Sequence, residues 1–190
     1  MTLAELIGPM LGSALLYVDG VVEVDLGGEV HRERFWTMRG QRWRVEGDDG
    51  ITHVSDAGRG SVTLVHGSVR DAGPPLPDGF FAADRLLRPR TAGIWGRPGE
   101  DWRMSDRIEP APDGLVRLTL QPVDTRWPAH CLVDPASGWL HELVTGPRRL
   151  RLLEVEEVPP AGLDVDELFL LPDGDGSAGR RARRPDRAGR

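Results

Sequence analysis

The stretch that decides the fold is residues 35–46, which read FWTMRGQRWRVE. In its second half apolar and charged side chains alternate, with Trp43 and Val45 on one side and the arginines and a glutamate on the other. This pattern is typical of a β-strand with one buried face. Since a glycine follows the arginine between the two halves, the stretch predicts two antiparallel strands joined by a tight turn.

Similar short segments, separated by turn residues such as Gly27-Gly28 and residues 47–50, surround this pair of strands. Short strands at regular spacing with turns between them predict an antiparallel sheet of meander type. The predicted strands are Leu16–Leu26, Glu29–Met38, Gln41–Glu46, Ile51–Ser55, Ser61–Val69, Leu115–Pro122, Ala129–Asp134, Trp139–Val144, Leu150–Val158 and Val165–Leu171.

Helical spacing of apolar residues appears in two places, Thr2–Leu16 and Phe80–Leu87. Thr2 and Glu5 have the spacing of a capping box at the start of the first helix. The segment Asp71–Gly79 is rich in proline and glycine and predicts a loop, and Ile94–Pro112 has no clear period. The sequence therefore predicts one α+β domain over residues 1–172.

The charges are distributed unevenly along the chain of 190 residues. All 24 basic residues are arginine, against 30 acidic residues, which gives a net charge of −6. Residues 173–190 contain six arginines and three aspartates and no large apolar side chain, so they predict a disordered, arginine-rich tail. An acidic body argues against a nucleic-acid binder. The absence of lysine is interpreted as coding bias.

Nothing at the start of the chain predicts export. No basic residue precedes the first apolar run, as a secretory signal requires, and no run reaches the about 20 apolar residues of a membrane span. Cys131 is the single cysteine, which excludes an internal disulfide. We expect a cytoplasmic protein, or an exported one if its true start lies elsewhere.

No motif for a phosphate, a dinucleotide, a nucleophile elbow or a metal is present, so the sequence predicts no cofactor and no enzyme. One pair could carry chemistry. If Asp134 pairs with Gly138 in a hairpin, Cys131 lies opposite His141, and such a pair can activate a thiolate. The alternative, which we favour, is that Cys131 is a small buried apolar residue.

The aromatic residues are the stronger candidates for a binding site. They would either fill the core or line a cavity between a curved sheet and the helices over it, and periodicity alone does not separate these alternatives. The candidates are Phe35, Trp36, Trp43, Phe80, Phe81, Trp139 and Phe169.

The order of elements resembles that of the LolA-type lipoprotein carriers, whose relatives include the RseB-type sensor domains and lipid-binding lipoproteins of actinobacteria. Three stretches carry the resemblance: residues 35–46, the turn Val54-Ser55-Asp56-Ala57-Gly58, and the closing residues 166–172, DELFLLP. The resemblance implies a strongly curved antiparallel sheet, an unclosed barrel, with a few helices covering its concave face. It also implies that Arg39 bonds to the backbone of the helical lid and holds the hollow closed; the alternative is that Arg39, beside Gly40, is an exposed hairpin residue.

Two functions follow from the resemblance. The first is a non-catalytic binding protein for an apolar ligand, such as a lipid or an acyl chain, in a cavity between sheet and helices. The second is an intracellular regulatory or protein-interaction module with the same fold and a filled core. An apolar cavity of several hundred Å³ would favour the first, and a packed interior the second.

Overall fold

A computed structural model describes residues 1–12, 15–123 and 126–171. The predicted tail at 173–190 lies wholly outside these residues. Residues 13 and 14, near the expected end of the first helix, also lie outside them. The helices are α1 Leu3–Gly12, α2 Ala82–Leu87 and α3 Val165–Leu168. The strands are β1 Tyr17–Leu26, β2 Val30–Met38, β3 Arg42–Gly47, β4 Ile51–Asp56, β5 Gly60–Val65, β6 Ser68–Gly73, β7 Trp102–Pro110, β8 Val116–Pro122, β9 Ala129–Val133, β10 Leu140–Thr145 and β11 Arg148–Glu156.

The strands of the described residues form one antiparallel sheet in the order β6-β5-β4-β3-β2-β1-β11-β10-β9-β8-β7. It consists of two meanders, β1–β6 and β7–β11, joined because β1 pairs with β11 along its length. β6 and β7 lie at opposite edges of the sheet and do not pair with each other, so the sheet does not close. The predicted class, an α+β fold with an unclosed curved sheet and few helices, is confirmed.

One face of this sheet packs against the helices. Val22, Leu118 and Leu150 from three strands share a single apolar core with Leu6 of α1 and Leu86 of α2. The capping box that begins α1 is confirmed, since the Thr2 amide donates to Glu5 Oε2 over 2.7 Å and the Glu5 amide donates to Thr2 Oγ1 over 3.3 Å. We call this the inner face and the opposite one the outer face.

Two predicted segments in the middle of the chain are wrong. Ser61–Val69 is two strands, because His66 and Gly67 both have positive φ, 48° and 79°, and form the turn between β5 and β6. The segment Ile94–Pro112, predicted as irregular, contains β7. Its apolar period is broken by charged side chains, since β7 is an edge strand with much of its surface exposed.

The predicted last strand, Val165–Leu171, is also wrong. Residues 165–168 form the one-turn helix α3, and the Asp164 side chain caps it by accepting from the Asp166 amide over 3.0 Å. The acidic residues in the first turn stabilise this helical conformation. The segment then lies across the outer face instead of adding a strand.

Candidate functional site

A cleft of about 310 Å³ lies between the inner face and the lid, which we define as α2 and the 3-10 turn Pro89–Thr91. Trp43 of β3 and Ser55 of β4 line it from the sheet, and Phe81 lines it from the start of α2. The Trp43 and Phe81 ring centroids are 5.7 Å apart. We call this the lid cleft.

Prolines form the third wall of the lid cleft. Pro75, Leu76 and Pro77 line it, and the Leu76 amide donates to Ser55 Oγ over 3.1 Å, which ties this loop to β4. Proline has a fixed φ, so the loop is stiff. Ring, leucine and proline side chains therefore give the cleft an apolar part, while polar groups form the larger part of its lining.

An ion pair inside the lid fixes the cleft's remaining wall. Asp84 of α2 accepts from the Gly79 amide over 2.6 Å and from both Nε and Nη2 of Arg88, one helical turn later. Arg88 Nη2 also donates to Asp78 over 2.9 Å. Burial disfavours the charge of Arg88, but Asp84 and Asp78 outweigh it and raise the pKa of the guanidinium. The guanidinium lies 5.8 Å from the Trp43 ring.

Arg39 lies at the mouth of the lid cleft, exposed, with a positive φ of 53°. Its backbone amide donates to the Leu16 carbonyl over 2.9 Å. Within the described residues its side chain makes no hydrogen bond to the lid, so its expected role in holding the lid stays a prediction. The arginine that ties the lid together is Arg88, which the sequence reasoning missed, although Asp and Arg four positions apart on a helix are a known pairing signal.

The aromatic candidates lie in three different places. Phe35, Trp43, Phe81 and Trp139 belong to the core beneath the lid, and of these Trp43 and Phe81 also line the lid cleft. Trp36 and Phe169 pack together with Tyr17 on the outer face. Phe80 is 47% exposed and contacts His53 and Phe81 with its ring.

The interior between the lid and the centre of the sheet is filled by side chains. Phe35, Leu86 and Leu87 are fully buried there, together with Leu140 and Ile94. The lid cleft is thus an opening at one end of the hollow, and the hollow itself is occupied by the core.

The predicted pairing of Cys131 with His141 is wrong. Cys131 lies opposite Leu143, because the turn already pairs Leu140 with Val133, one position from the predicted register, and a bulge between Leu140 and Glu142 shifts the pairing by one more. The thiol is completely buried, and burial raises its pKa to about 12. The side chain is therefore an apolar core group.

Neither a membrane-spanning helix nor a metal-binding cluster is found in the described part of the chain. No helix there is long and apolar enough to cross a membrane. Among the same residues no group of three or more histidine, cysteine, aspartate or glutamate side chains could hold a metal ion.

Comparison with solved structures supports the fold. The chain is similar to an uncharacterized conserved protein from Thermus thermophilus, with a TM-score of 0.58 and 12% identity over 90% of this chain and 94% of that one. At this identity the likeness concerns the fold alone. No protein-family model and no curated protein sequence matches the chain.

Two less similar structures are the crystal structure of MucB and the MucA/MucB complex of Pseudomonas aeruginosa. Their TM-scores are 0.44 and 0.42, with 14% and 15% identity over 89% and 87% of this chain. The chain spans 62% and 59% of those two chains.

Proposed function

We propose that this chain is a non-catalytic binding protein whose lid cleft takes the apolar part of a ligand that also carries an acidic group, such as a fatty acid or an acyl lipid. The observation that carries the proposal is the cleft itself. Its volume of about 310 Å³ is at the lower end of the range for ligand pockets. Trp43 and Phe81 contribute apolar ring atoms to its lining, although both side chains are mostly buried in the core.

The charge at the cleft supports an acidic head group. Three arginines line it, Arg39, Arg88 and Arg90, against only two aspartates, although the chain as a whole is acidic. Arg88 is neutralised by Asp84 and Asp78. Arg39 and Arg90 have no carboxylate partner among the described residues, so both remain available to a carboxylate or a phosphate at the mouth.

The apolar part of the ligand supplies the binding energy. Burying about ten methylenes is worth about 8 kcal/mol before the cost of immobilising the ligand is subtracted. An acyl chain of about ten methylenes is the longest that the cleft holds, because core side chains fill the hollow behind the cleft.

The packed hollow favours a second candidate, a protein-interaction domain of the same fold. Native mass spectrometry of the freshly purified chain separates the two functions. The proposed binder retains an acidic lipid, or takes up added fatty acid at a ratio of one to one. If the protein carries no lipid and binds no fatty acid, the binding function is contradicted, and the protein-interaction domain is the candidate function that remains.

A further inference from the structure

The second candidate site lies on the outer face of the sheet, where the end of the described chain is docked. Residues 163–169, which we call the C-terminal strap, cross β1–β3 and insert Phe169 against Tyr17 and Trp36. Phe169 is only 1% exposed. We call the surface under the strap, formed by Tyr17, Trp36, Met38, Arg42 and Arg44, the outer groove.

Two arginines of β3 hold the strap by its acidic residue and its backbone. Arg42 bridges Asp56 and Asp166, with N···O distances of 3.0 and 2.5 Å. Arg44 Nη1 donates to the Leu168 carbonyl over 3.3 Å. The outer groove thus binds an aspartate in the single turn of α3 and, three positions later, the aromatic side chain of the residue that follows this turn.

The strap is held lightly. Phe169 is its only buried residue, Asp166 is 77% exposed, and α3 is a single turn. Residues 157–162 connect it to β11 and contain Pro159, Pro160 and Gly162, the last with a φ of 84°. The other apolar residues of the strap, Leu163, Val165 and Leu168, are only partly buried, and the covalent connection keeps the strap at a high local concentration.

Two polar groups also lie on this face. The Tyr17 hydroxyl and Asp19 Oδ1 make no hydrogen bond of good geometry among the described residues, but burial and the neighbouring Asp19 carboxylate together raise the pKa of Tyr17 to about 12. Asp19 lies two positions after Tyr17 in β1 and directly opposite Trp36 in β2, so all three share the outer face.

We propose that the outer groove is a docking site for a segment of another protein that brings an aspartate and an aromatic residue three positions later, and that the strap occupies it in competition. This inference does not depend on the lid cleft, because the two sites lie on opposite faces of the sheet. The strap then keeps the groove covered until such a segment replaces it.

The test uses the full chain and a fluorescent peptide of residues 160–171 as the probe, with binding followed by anisotropy. In Asp166→Arg the strap is repelled by Arg42, while the groove stays intact. Glu167→Arg makes the same charge change at a neighbouring exposed residue that forms no ion pair with Arg42 or Arg44, and it is the matched control. We expect D166R to bind the peptide about tenfold or more tightly than the wild type, with E167R like the wild type.

Two further arms complete the experiment. Phe169→Ala removes the buried side chain of the strap from the outer groove, so it is expected to raise peptide binding as D166R does. A probe peptide with alanine in place of Phe169 is expected not to bind D166R. Equal peptide binding by D166R, E167R and the wild type, or equal binding of both peptides, would overturn the proposal.

Discussion

Asp84 is the residue that connects most parts of the lid. It is 2% exposed, and it accepts hydrogen bonds from the Gly79 amide and from Arg88. Gly79 precedes α2, and Arg88 follows it, so one carboxylate fixes both ends of the helix. The lid cleft keeps its shape because these groups are paired with one another.

We predict that Asp84→Ala lowers the free energy of unfolding by about 3–5 kcal/mol, because it leaves Arg88 buried without its main partner. Asp78→Ala is the control, since Asp78 pairs with the same arginine but its side chain is 73% exposed, and we expect at most about 1 kcal/mol. Urea denaturation followed by tryptophan fluorescence measures both. Equal losses in the two variants would contradict the role given to Asp84.

Single residues also explain why parts of the site were not predicted from sequence. Trp43 and Phe81 were candidates because of their type and spacing, and both line the lid cleft. Asp84 and Arg88 were missed because a charged pair on a short helix is usually exposed to solvent. Whether such a pair is buried depends on the prolines and the sheet that cover it, which are remote in sequence.

At the scale of the elements, alternation predicted the strands that have one buried face. β3, with the burial of Trp43 and Val45, is the clearest case. The predictions failed where local geometry matters more than the period. The His66-Gly67 turn split a predicted strand, a bulge changed the pairing of Cys131, and the cap at Asp164 made a helix of a predicted strand.

The contact of α1 with the β9–β10 turn gives a prediction at this scale. Gly138 has a φ of 75°, and a Cβ there would overlap the Pro9 carbonyl group in α1. We predict that Gly138→Ala costs about 1–2 kcal/mol for the left-handed backbone and about 1–3 kcal/mol more because α1 must move.

Gly99→Ala is the matched control for this substitution. Gly99 has a similar φ of 86°, but no atom lies within 4 Å of the position of its Cβ. The difference in thermal unfolding between the two variants isolates the contact with α1. If both variants lose the same stability, α1 does not pack on this turn as described.

At the scale of the whole molecule, two meanders are joined through β1 and β11 into one open sheet with a different site on each face. The antiparallel meander followed from the order of the segments, since turns between short strands leave few alternatives, and the open, curved form of the sheet was what the family resemblance implied. The sequence did not predict that core side chains fill the hollow, because aromatic residues on strands have the same period whether they line a cavity or pack against a lid.

The central claim is that a ligand's apolar part enters the lid cleft, and calorimetric titration with dodecanoate tests it most directly. Ala57→Trp places a large side chain at the cleft, since Ala57 is exposed and lines it. Ala136→Trp makes the same change at an exposed position of the β9–β10 turn, outside the cleft. We expect the wild type and A136W to bind one dodecanoate with equal affinity and A57W to bind about tenfold or more weakly. Undiminished binding by A57W, or no binding by the wild type, would contradict the claim.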